Sequence, residues 1–163
     1  MLVYLGLGSN IGDRYKNIFD ALEHLKNENG IKVGQKSRLC ETVHHGGPEQ
    51  PDYLNAVVEI NTDKEPEDLL RICLDIEKRM GRIRKEKNGP RNIDIDILFY
   101  GNSVIEKADL KIPHPLLQKR EFVLFPLYEI APNLFHPVLK MTVKEMKERL
   151  PENGIIKLYE KNI

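Results

Sequence analysis

The segment that most constrains the fold runs from Asn92 to Tyr100, NIDIDILFY, where isoleucines first alternate with polar residues. Alternation with a period of two is typical of a β-strand that is buried on one face. The three isoleucines would then point into a core, and Asp94 and Asp96 would lie together on the opposite face. The chain must therefore build a sheet that is covered by apolar packing on at least one side.

Strands and helices alternate along the chain. Hydrophobic spacing and turn residues predict a strand from Leu2 to Leu7, a helix from Asp13 to Gly30, a strand within residues 31–43, a strand from Tyr53 to Asn61 and a helix from Pro66 to Gly81. After the strand at 92–100 we expect a helix near residues 122–130, whose start Pro126 limits, a short helix with a capping box between Thr142 and Glu145, and a closing strand near residues 155–159.

This order predicts the fold class and the domain organisation. The succession β-α-β-β-α-β is that of an α+β fold, a ferredoxin-like core with a C-terminal extension. We expect a largely antiparallel sheet with helices packed on it. With no internal repeat and no long linker, residues 1–163 should form one domain.

Composition excludes several classes of protein. The chain has 25 basic and 25 acidic residues, and this zero net charge argues against a nucleic-acid binder held by overall charge. No stretch approaches the ~20 apolar residues of a membrane span, and the first ten residues lack the pattern of a signal peptide. Cys40 and Cys73 match no metal spacing and make no disulfide framework, so we expect a reducing, cytoplasmic compartment.

The pair Asp94 and Asp96 is the sharpest chemical feature. Two carboxylates at this strand spacing lie about 7 Å apart at Cβ and can lean together onto one cation. Without a cation, the like charges would raise the pKa of one carboxyl group. A hard ion such as Mg²⁺ resolves this conflict, and two ions about 3.5–4 Å apart could share the pair. A bare pair of this kind is more often a solvated strand face, so its neighbours decide the interpretation.

A basic run leads directly into the acidic pair. Residues 78–91 contain seven Lys or Arg and one acidic residue, Glu86. A basic run alone is usually a solvated surface, but this one passes through Gly89-Pro90-Arg91 into the carboxylates. In phosphoryl transfer a metal bridges phosphate oxygens while guanidinium groups neutralise the developing charge. The juxtaposition therefore favours a phosphoryl-transfer site.

Other motifs carry less information. The chain has no P-loop and no protein-kinase motif set. The glycines of residues 6–12, GLGSNIG, have the wrong spacing for a dinucleotide fingerprint, and we interpret them as a strand-to-helix turn. Tyr53 and Asn55 share one face of their predicted strand, which suggests a polar pocket with a stacking ring. His114, held between two prolines, could reach a phosphate.

The run from Lys87 to Leu98, KNGPRNIDIDIL, resembles the signature of the 6-hydroxymethyl-7,8-dihydropterin pyrophosphokinases, which are enzymes of folate biosynthesis. The resemblance covers nearly the whole chain, because it extends to Gly8-Ser9-Asn10, residues 50–56, Gly81-Arg82, residues 112–115 and residues 122–131. It implies an ATP-dependent pyrophosphokinase that transfers diphosphate to the hydroxymethyl group of the pterin and releases AMP.

The resemblance also implies a role for individual residues. Asp94 and Asp96 would hold two Mg²⁺ ions, and Arg82 and Arg91 would stabilise the transferring group. The residues that would hold ATP are Glu77, Arg84, His114 and Arg120. The residues that would hold the pterin are Thr42, Tyr53, Asn55 and Phe122, with the ring stacked between Tyr53 and Phe122. The expected partners are these small molecules alone, without nucleic acid or membrane, and we expect a monomer.

One departure from the family pattern concerns a catalytic loop. The family commonly carries a Trp just before the Gly-Pro-Arg, but this chain has no Trp and Asn88 stands nearest to that place. We hypothesise that closure over the substrates depends more on Arg84 and Lys87 here, so that alanine at both positions would change the kinetics.

Four other functions fit parts of the pattern. A nucleotidyltransferase also pairs Gly-Ser with a D-x-D strand, but there the acids follow on the next strand, whereas Gly8-Ser9 and Asp94 are far apart here. An RNA-binding domain of the same topology would need exposed aromatic rings and a basic sheet face in place of the acids. A structural or interaction module would leave the Asp pair and the arginine cluster unexplained, and a purely metal-binding role is possible but would not need so many arginines.

Overall fold

The computed structural model describes residues 1–42, 51–82, 90–151 and 156–163. The strands are β1 Leu2–Ser9, β2 Ile31–Lys36, β3 Cys40–Thr42, β4 Tyr53–Thr62, β5 Asp94–Tyr100, β6 Ile105–Glu106, β7 Lys111–Ile112, β8 Phe135–His136, β9 Met141–Thr142 and β10 Ile156–Leu158. The helices are α1 Arg14–Asn27, α2 Pro66–Arg79, α3 Glu121–Ile130 and α4 Val143–Glu148, and a short 3-10 turn spans Leu117–Lys119.

Six strands form the main sheet, and every neighbouring pair in it is antiparallel. The order is β10-β3-β4-β1-β5, with β2 also paired to β4, so β1 and β4 lie at the centre. Two small antiparallel pairs, β6 with β7 and β8 with β9, stand outside it. The predicted α+β class, with a ferredoxin-like core and a C-terminal extension, is confirmed.

The sheet separates two hydrophobic clusters, because side chains alternate between its faces. On one face, strand residues such as Leu54 pack with Leu22 of α1 and Ile76 of α2. On the other face, residues such as Val57 pack with Leu124 of α3 and the buried side chains of α4. None of the helices within the described ranges is long and apolar enough to cross a membrane.

Local sequence signals explain where the helices begin and end. The carboxylate of Asp13 accepts a hydrogen bond from the backbone N–H of Lys16 and caps α1. Pro66 occupies the first turn of α2, where its missing N–H costs nothing. The predicted capping box is also confirmed, since the Thr142 hydroxyl and the Glu145 carboxylate each accept a backbone N–H at the start of α4.

Three boundaries differ from the sequence predictions. The interpretation of Gly6 and Gly8 as part of a turn is wrong, because β1 continues through both of them to Ser9. The predicted second strand is divided at Ser37, whose backbone N–H and side-chain oxygen both bond to the backbone of Val57. Pro126 does not limit the start of α3, since it lies inside the helix, five residues after its first residue.

Candidate active site

The predicted carboxylates lie on β5, on the sheet face that α3 covers. Asp94 and Asp96 are partly exposed, whereas Ile95 and Ile97 are buried on the opposite face. Across the ladder, Gly8 of β1 pairs with Asp94 on one side and with Asn55 of β4 on the other. A glycine here has no side chain above the sheet, so the strip between Asp94 and Asn55 stays open; we call this strip, with Gly8 as its floor, the groove. Sequence reasoning missed this use of the glycines.

The carboxylates sit among three arginines. Nη1 of Arg82 lies 2.6 Å from Oδ1 of Asp94, and Nη1 of Arg91 lies 3.2 Å from its Oδ2. Nη1 of Arg120 lies 3.7 Å from Oδ2 of Asp96. The structure therefore brings together, on one face of the sheet, five of the residues that the sequence assigned to this site. Segments remote in sequence contribute them: the end of α2, β5 and the start of α3.

Burial and like charge change the acidity of two groups in this cluster. The pKa of Asp96 is raised to about 6 by burial among protein atoms and by the neighbouring Asp94, against the pull of Arg120. The pKa of His114 is lowered to about 4 by burial and by Arg120, so the imidazole is neutral near pH 7. Its Nδ1 accepts the backbone N–H of Leu116 at 3.3 Å.

Glu77 lies beneath this cluster rather than in the open groove. The residue is only 3% exposed. Oε1 of Glu77 lies 2.5 Å from Nη1 of Arg82 and accepts the backbone N–H of Ile95 at 2.8 Å. The carboxylate therefore joins α2 to β5 and holds the guanidinium of Arg82 beside Asp94.

The residues assigned to the pterin surround the other end of the groove. Thr42 and Asn55 are buried, and Nδ2 of Asn55 donates to Oγ1 of Thr42 at 2.9 Å. Tyr53 is the register partner of Thr42 across the β3–β4 ladder. The Thr42 hydroxyl and the Asn55 amide, which are bonded to each other, can hydrogen-bond to the donors and acceptors along one edge of a heterocycle.

Two aromatic rings connect this end to the carboxylates. The guanidinium carbon of Arg91 lies 5.9 Å from the centroid of the Tyr53 ring, and that of Arg120 lies 5.6 Å from the centroid of the Phe122 ring. Each arginine also contacts one carboxylate, so both rings are linked to the acidic pair through a cation.

Asn10 is a site residue to which sequence reasoning gave no role. It is fully buried in the β1–α1 loop. Its Oδ1 accepts the backbone N–H of Arg91 at 2.8 Å, its own N–H donates to the Arg91 carbonyl at 3.1 Å, and its Nδ2 donates to the carbonyl of Pro51 at 3.4 Å. Asn10 thereby ties together the segments that carry Arg91 and Tyr53. Its only sequence signal was its place in the motif Gly8-Ser9-Asn10.

The donor set fits Mg²⁺ bound together with a phosphorylated ligand. Within the described ranges, no group of three or more His, Cys, Asp or Glu side chains could hold a metal ion. Mg²⁺ is commonly held by one or two carboxylates, with water and substrate phosphates completing the shell, and Asp94 and Asp96 supply such a pair. Nε of Arg91 is buried and has no hydrogen-bond partner among the described residues, which leaves a donor for an anion.

Part of the predicted site lies outside the described residues. Arg84, assigned to ATP, falls within residues 83–89, and so do Lys87 and Asn88 of the loop hypothesis. These assignments stay predictions.

The fold and these side chains together define a class: a ferredoxin-like α+β domain with a candidate site for a divalent metal and a phosphorylated ligand. A family model for 7,8-dihydro-6-hydroxymethylpterin-pyrophosphokinase (HPPK) matches residues 4–132. The chain belongs to the HPPK family. The predicted family is thus confirmed.

Curated relatives agree with the family assignment. The chain is 44% identical over 153 residues to the 2-amino-4-hydroxy-6-hydroxymethyldihydropteridine pyrophosphokinase of Aquifex aeolicus, covering 94% of this chain and 92% of that protein. It is 43% identical over 155 residues to the folic acid synthesis protein FOL1 of Dictyostelium discoideum, covering 95% of this chain and 23% of that protein. The chain therefore spans less than a quarter of this longer relative.

Solved structures agree on the fold. A crystal structure described as HPPK-DHPS in complex with substrates has a TM-score of 0.74 at 14% identity, covering 96% of this chain and 46% of that one. The wild-type HPPK-DHPS of Plasmodium falciparum with pterin and p-hydroxybenzoate has a TM-score of 0.73 at 18% identity, with 96% and 46% covered. The chain spans about half the length of these proteins, and identities this low support the fold alone.

Proposed function

We propose that this chain transfers the terminal diphosphate of ATP to the hydroxymethyl group of 6-hydroxymethyl-7,8-dihydropterin and releases AMP. One observation carries the proposal: in a member of the HPPK family, Asp94 and Asp96 lie beside Arg82, Arg91 and Arg120 on one sheet face. A diphosphate donor needs both a site for divalent metal and cations around the transferred group.

The acidic pair would hold two Mg²⁺ ions, which when bound neutralise phosphate charge and align the reacting groups. Arg82 and Arg91 would contact the transferring diphosphate, because both guanidinium groups already converge on Asp94. Charge that spreads over the transferred group would be stabilised by these preorganised cations. Glu77 would act indirectly by holding Arg82 in place.

Arg120, His114 and Arg84 would hold ATP. Arg120 lies at the start of α3 beside Asp96. The imidazole of His114 is close enough to Arg120 for the cation to help lower its pKa, which keeps the imidazole neutral. A neutral imidazole can donate to or accept from a nucleotide without adding a charge to be compensated.

The pterin would lie over the groove floor at Gly8, with its edge against Thr42 and Asn55 and its ring between Tyr53 and Phe122. A flat heterocycle gains from aromatic faces on both sides. The amide of Asn55, already oriented by its bond to Thr42, would recognise the ring edge. Orientation of the hydroxymethyl group toward the carboxylate end would then supply much of the rate enhancement.

An isotope experiment tests which group is transferred. ATP labelled in the γ-phosphate is incubated with the protein, Mg²⁺ and the hydroxymethylpterin, and the products are separated. We expect the label in a pterin diphosphate, together with unlabelled AMP. Label recovered as free phosphate with ADP would show hydrolysis, and label in a pterin monophosphate with ADP would show single phosphoryl transfer; either result would overturn the proposal.

We also propose that residues 1–163 act as one domain and as a monomer in the cytoplasm. Cys40 and Cys73 are both free and buried, which suits a reducing compartment. Sedimentation equilibrium of the purified chain should give the mass of one chain, 18.9 kDa. A mass twice as large would contradict the monomer.

A further inference from the structure

Arg14 opens α1 at a position that helix electrostatics disfavours. The first turn of a helix attracts anions because its free backbone N–H groups carry partial positive charge. The first turn of α1 nevertheless contains no acidic residue and begins with a cation. The presence of Arg14 therefore calls for an explanation in the contacts of its side chain.

The guanidinium of Arg14 joins two separate strands. Its Nη2 lies 2.6 Å from Oε1 of Glu41, which belongs to β3. Its Nη1 donates to the backbone carbonyl of Asp52 at 2.7 Å, directly before β4. A planar guanidinium fixes the direction of both contacts at once, which a single ammonium group does not.

These two contacts lie directly behind the residues assigned to the pterin. Glu41 precedes Thr42 and Asp52 precedes Tyr53, and Thr42 and Tyr53 are register partners. Because side chains alternate along a strand, Glu41 faces α1 while Thr42 faces α3. Arg14 thus contacts β3 and the residue directly before β4 from the far side of the sheet, beside the rung that presents the pterin-side groups.

We propose that Arg14 is a positioning residue for the pterin, which fixes the separation of Thr42 and Tyr53 from the opposite face of the sheet. The inference rests on the proposed function, since it assumes that Thr42 and Tyr53 contact the pterin. Arg14, Glu41 and Asp52 also line an open pocket of about 380 Å³, so solvent screens the ion pair. The expected effect is accordingly moderate and confined to one substrate.

The test is steady-state kinetics on single and double variants. The change Arg14→Met removes both contacts but keeps an unbranched stem, and Glu41→Gln removes the charge of the partner alone. Lys16→Met is the matched control, because Lys16 lies on the same helix and pairs with Asp20 at the surface. For each protein, KM for the pterin, KM for ATP, kcat and the midpoint of thermal unfolding are measured.

We expect Arg14→Met to raise KM for the pterin about fivefold, the upper range for a partly exposed ion pair, with KM for ATP within twofold. Arg14→Lys should give an intermediate value, and the Arg14→Met/Glu41→Gln double variant should be no worse than Arg14→Met. If Arg14→Met leaves KM for the pterin unchanged, or raises both KM values equally, the inference is overturned. A wild-type protein without pterin-dependent AMP formation would overturn the proposed function itself.

Should Arg14→Met fail to fold, Glu41→Gln keeps the inference testable, because it preserves the bond from Arg14 to the Asp52 carbonyl. We expect Glu41→Gln to raise KM for the pterin about twofold while Lys16→Met changes neither KM. Equal effects of Glu41→Gln and Lys16→Met on both KM values would overturn the inference.

Discussion

Asp94 and Asp96 have different electrostatic surroundings although they share one face of one strand. Both carboxylate oxygens of Asp94 have a guanidinium nitrogen within 3.2 Å. The ion-pair partner of Asp96 is farther away, because Nη1 of Arg120 lies 3.7 Å from Oδ2. Asp96 accordingly has a raised pKa, caused by burial and by Asp94. The charged form of Asp96 therefore opposes folding, whereas the Asp94 carboxylate makes two ion-pair contacts with arginines.

This difference predicts opposite effects of two matched substitutions on stability. At pH 8, Asp94→Asn should lower the free energy of unfolding by about 1–3 kcal/mol, because charge-assisted contacts to Arg82 and Arg91 are lost. Asp96→Asn should raise the free energy of unfolding by up to about 1 kcal/mol, a figure discounted for screening because its side chain is 38% exposed. Urea denaturation measures both, and destabilisation by Asp96→Asn would contradict the electrostatic account. Both variants should lose turnover.

The raised pKa of Asp96 also predicts how metal and nucleotide binding depend on pH. Protons compete with Mg²⁺ for the carboxylate, so binding should weaken as pH falls through about 6. Titration calorimetry should show an affinity for Mg²⁺–ATP about tenfold lower at pH 5 than at pH 8. At pH 5, one unit below the pKa of Asp96, only about a tenth of this carboxyl group is ionised. His114→Gln should keep this inflection and Asp96→Asn should lose it. An affinity that does not change over this range would contradict the assignment of Asp96.

At the scale of elements, the central strand β1 shapes the site because it has a glycine, without a side chain, between Asn55 and the carboxylates. Gly8 stands between Asn55 of β4 and Asp94 of β5, and its missing side chain leaves open the floor between them. A Cβ added at Gly8 would lie 3.1 Å from Oδ1 of Asn55, whereas the three atoms nearest to one added at Gly6 all belong to the side chain of Leu98, the nearest at 3.4 Å.

These distances predict different outcomes for two alanine substitutions in the same strand. Gly8→Ala should displace the Asn55 amide from Thr42 and raise KM for the pterin about tenfold, the equivalent of one hydrogen bond. Gly6→Ala is the matched control and should change KM less than twofold. Gly6→Ala should not lower the midpoint of thermal unfolding, because alanine costs less entropy than glycine within a strand. Gly8→Ala should lower it slightly, because the buried bond between Asn55 and Thr42 is lost. Equal KM values for both variants would contradict the proposed position of the pterin.

The sequence predicted elements where a local signal sets the boundary, and it failed where distant contacts do. Asp13, Pro66 and Thr142 mark helix starts through capping and backbone chemistry, and the structure confirms them. The glycines of β1 were placed in a turn because their use in a central strand depends on neighbours far along the chain. The division of the second strand at Ser37 likewise depends on a bond to Val57.

The same distinction applies to the candidate site. Asp94, Asp96 and Arg91 form a local motif, so spacing alone indicated a joint role. Asn10 gave no comparable signal, because its importance lies in bonds to Arg91 and Pro51 that form only in the folded chain. Glu77 was assigned to ATP directly, and its burial favours the indirect role proposed here.

At the scale of the whole molecule, one sheet with a hydrophobic cluster on each face carries the site on the side of α3. Buried imidazoles couple the stability of this molecule to pH. Nδ1 of His136 accepts the backbone N–H groups of Val138 and Leu139, and burial lowers the pKa of His136. The pKa of His114 is lowered as well, to about 4.

Both histidines predict loss of stability in acid. In the unfolded chain a histidine has its ordinary pKa of 6.5, but in the native chain burial holds the pKa of His114 at about 4, so stability falls as pH drops from 6.5 towards 4. Asp96 acts in the opposite sense, because its raised pKa favours the native state as pH falls from about 6 towards 3.8. The two histidines together outweigh Asp96, so urea denaturation should show a lower free energy of unfolding at pH 5 than at pH 7. The fall should be steeper in Asp96→Asn, and a rise in stability from pH 7 to pH 5 would contradict the account.

The central claim is that the acidic pair and its arginines carry out diphosphate transfer to a pterin. The most direct measurement is the rate of AMP formation from ATP and Mg²⁺, with and without 6-hydroxymethyl-7,8-dihydropterin, for the wild type and Asp96→Ala. The account predicts AMP formation that requires the pterin in the wild type, and none in a folded Asp96→Ala variant. Nucleotide turnover that does not need the pterin, or an active Asp96→Ala variant, would contradict it.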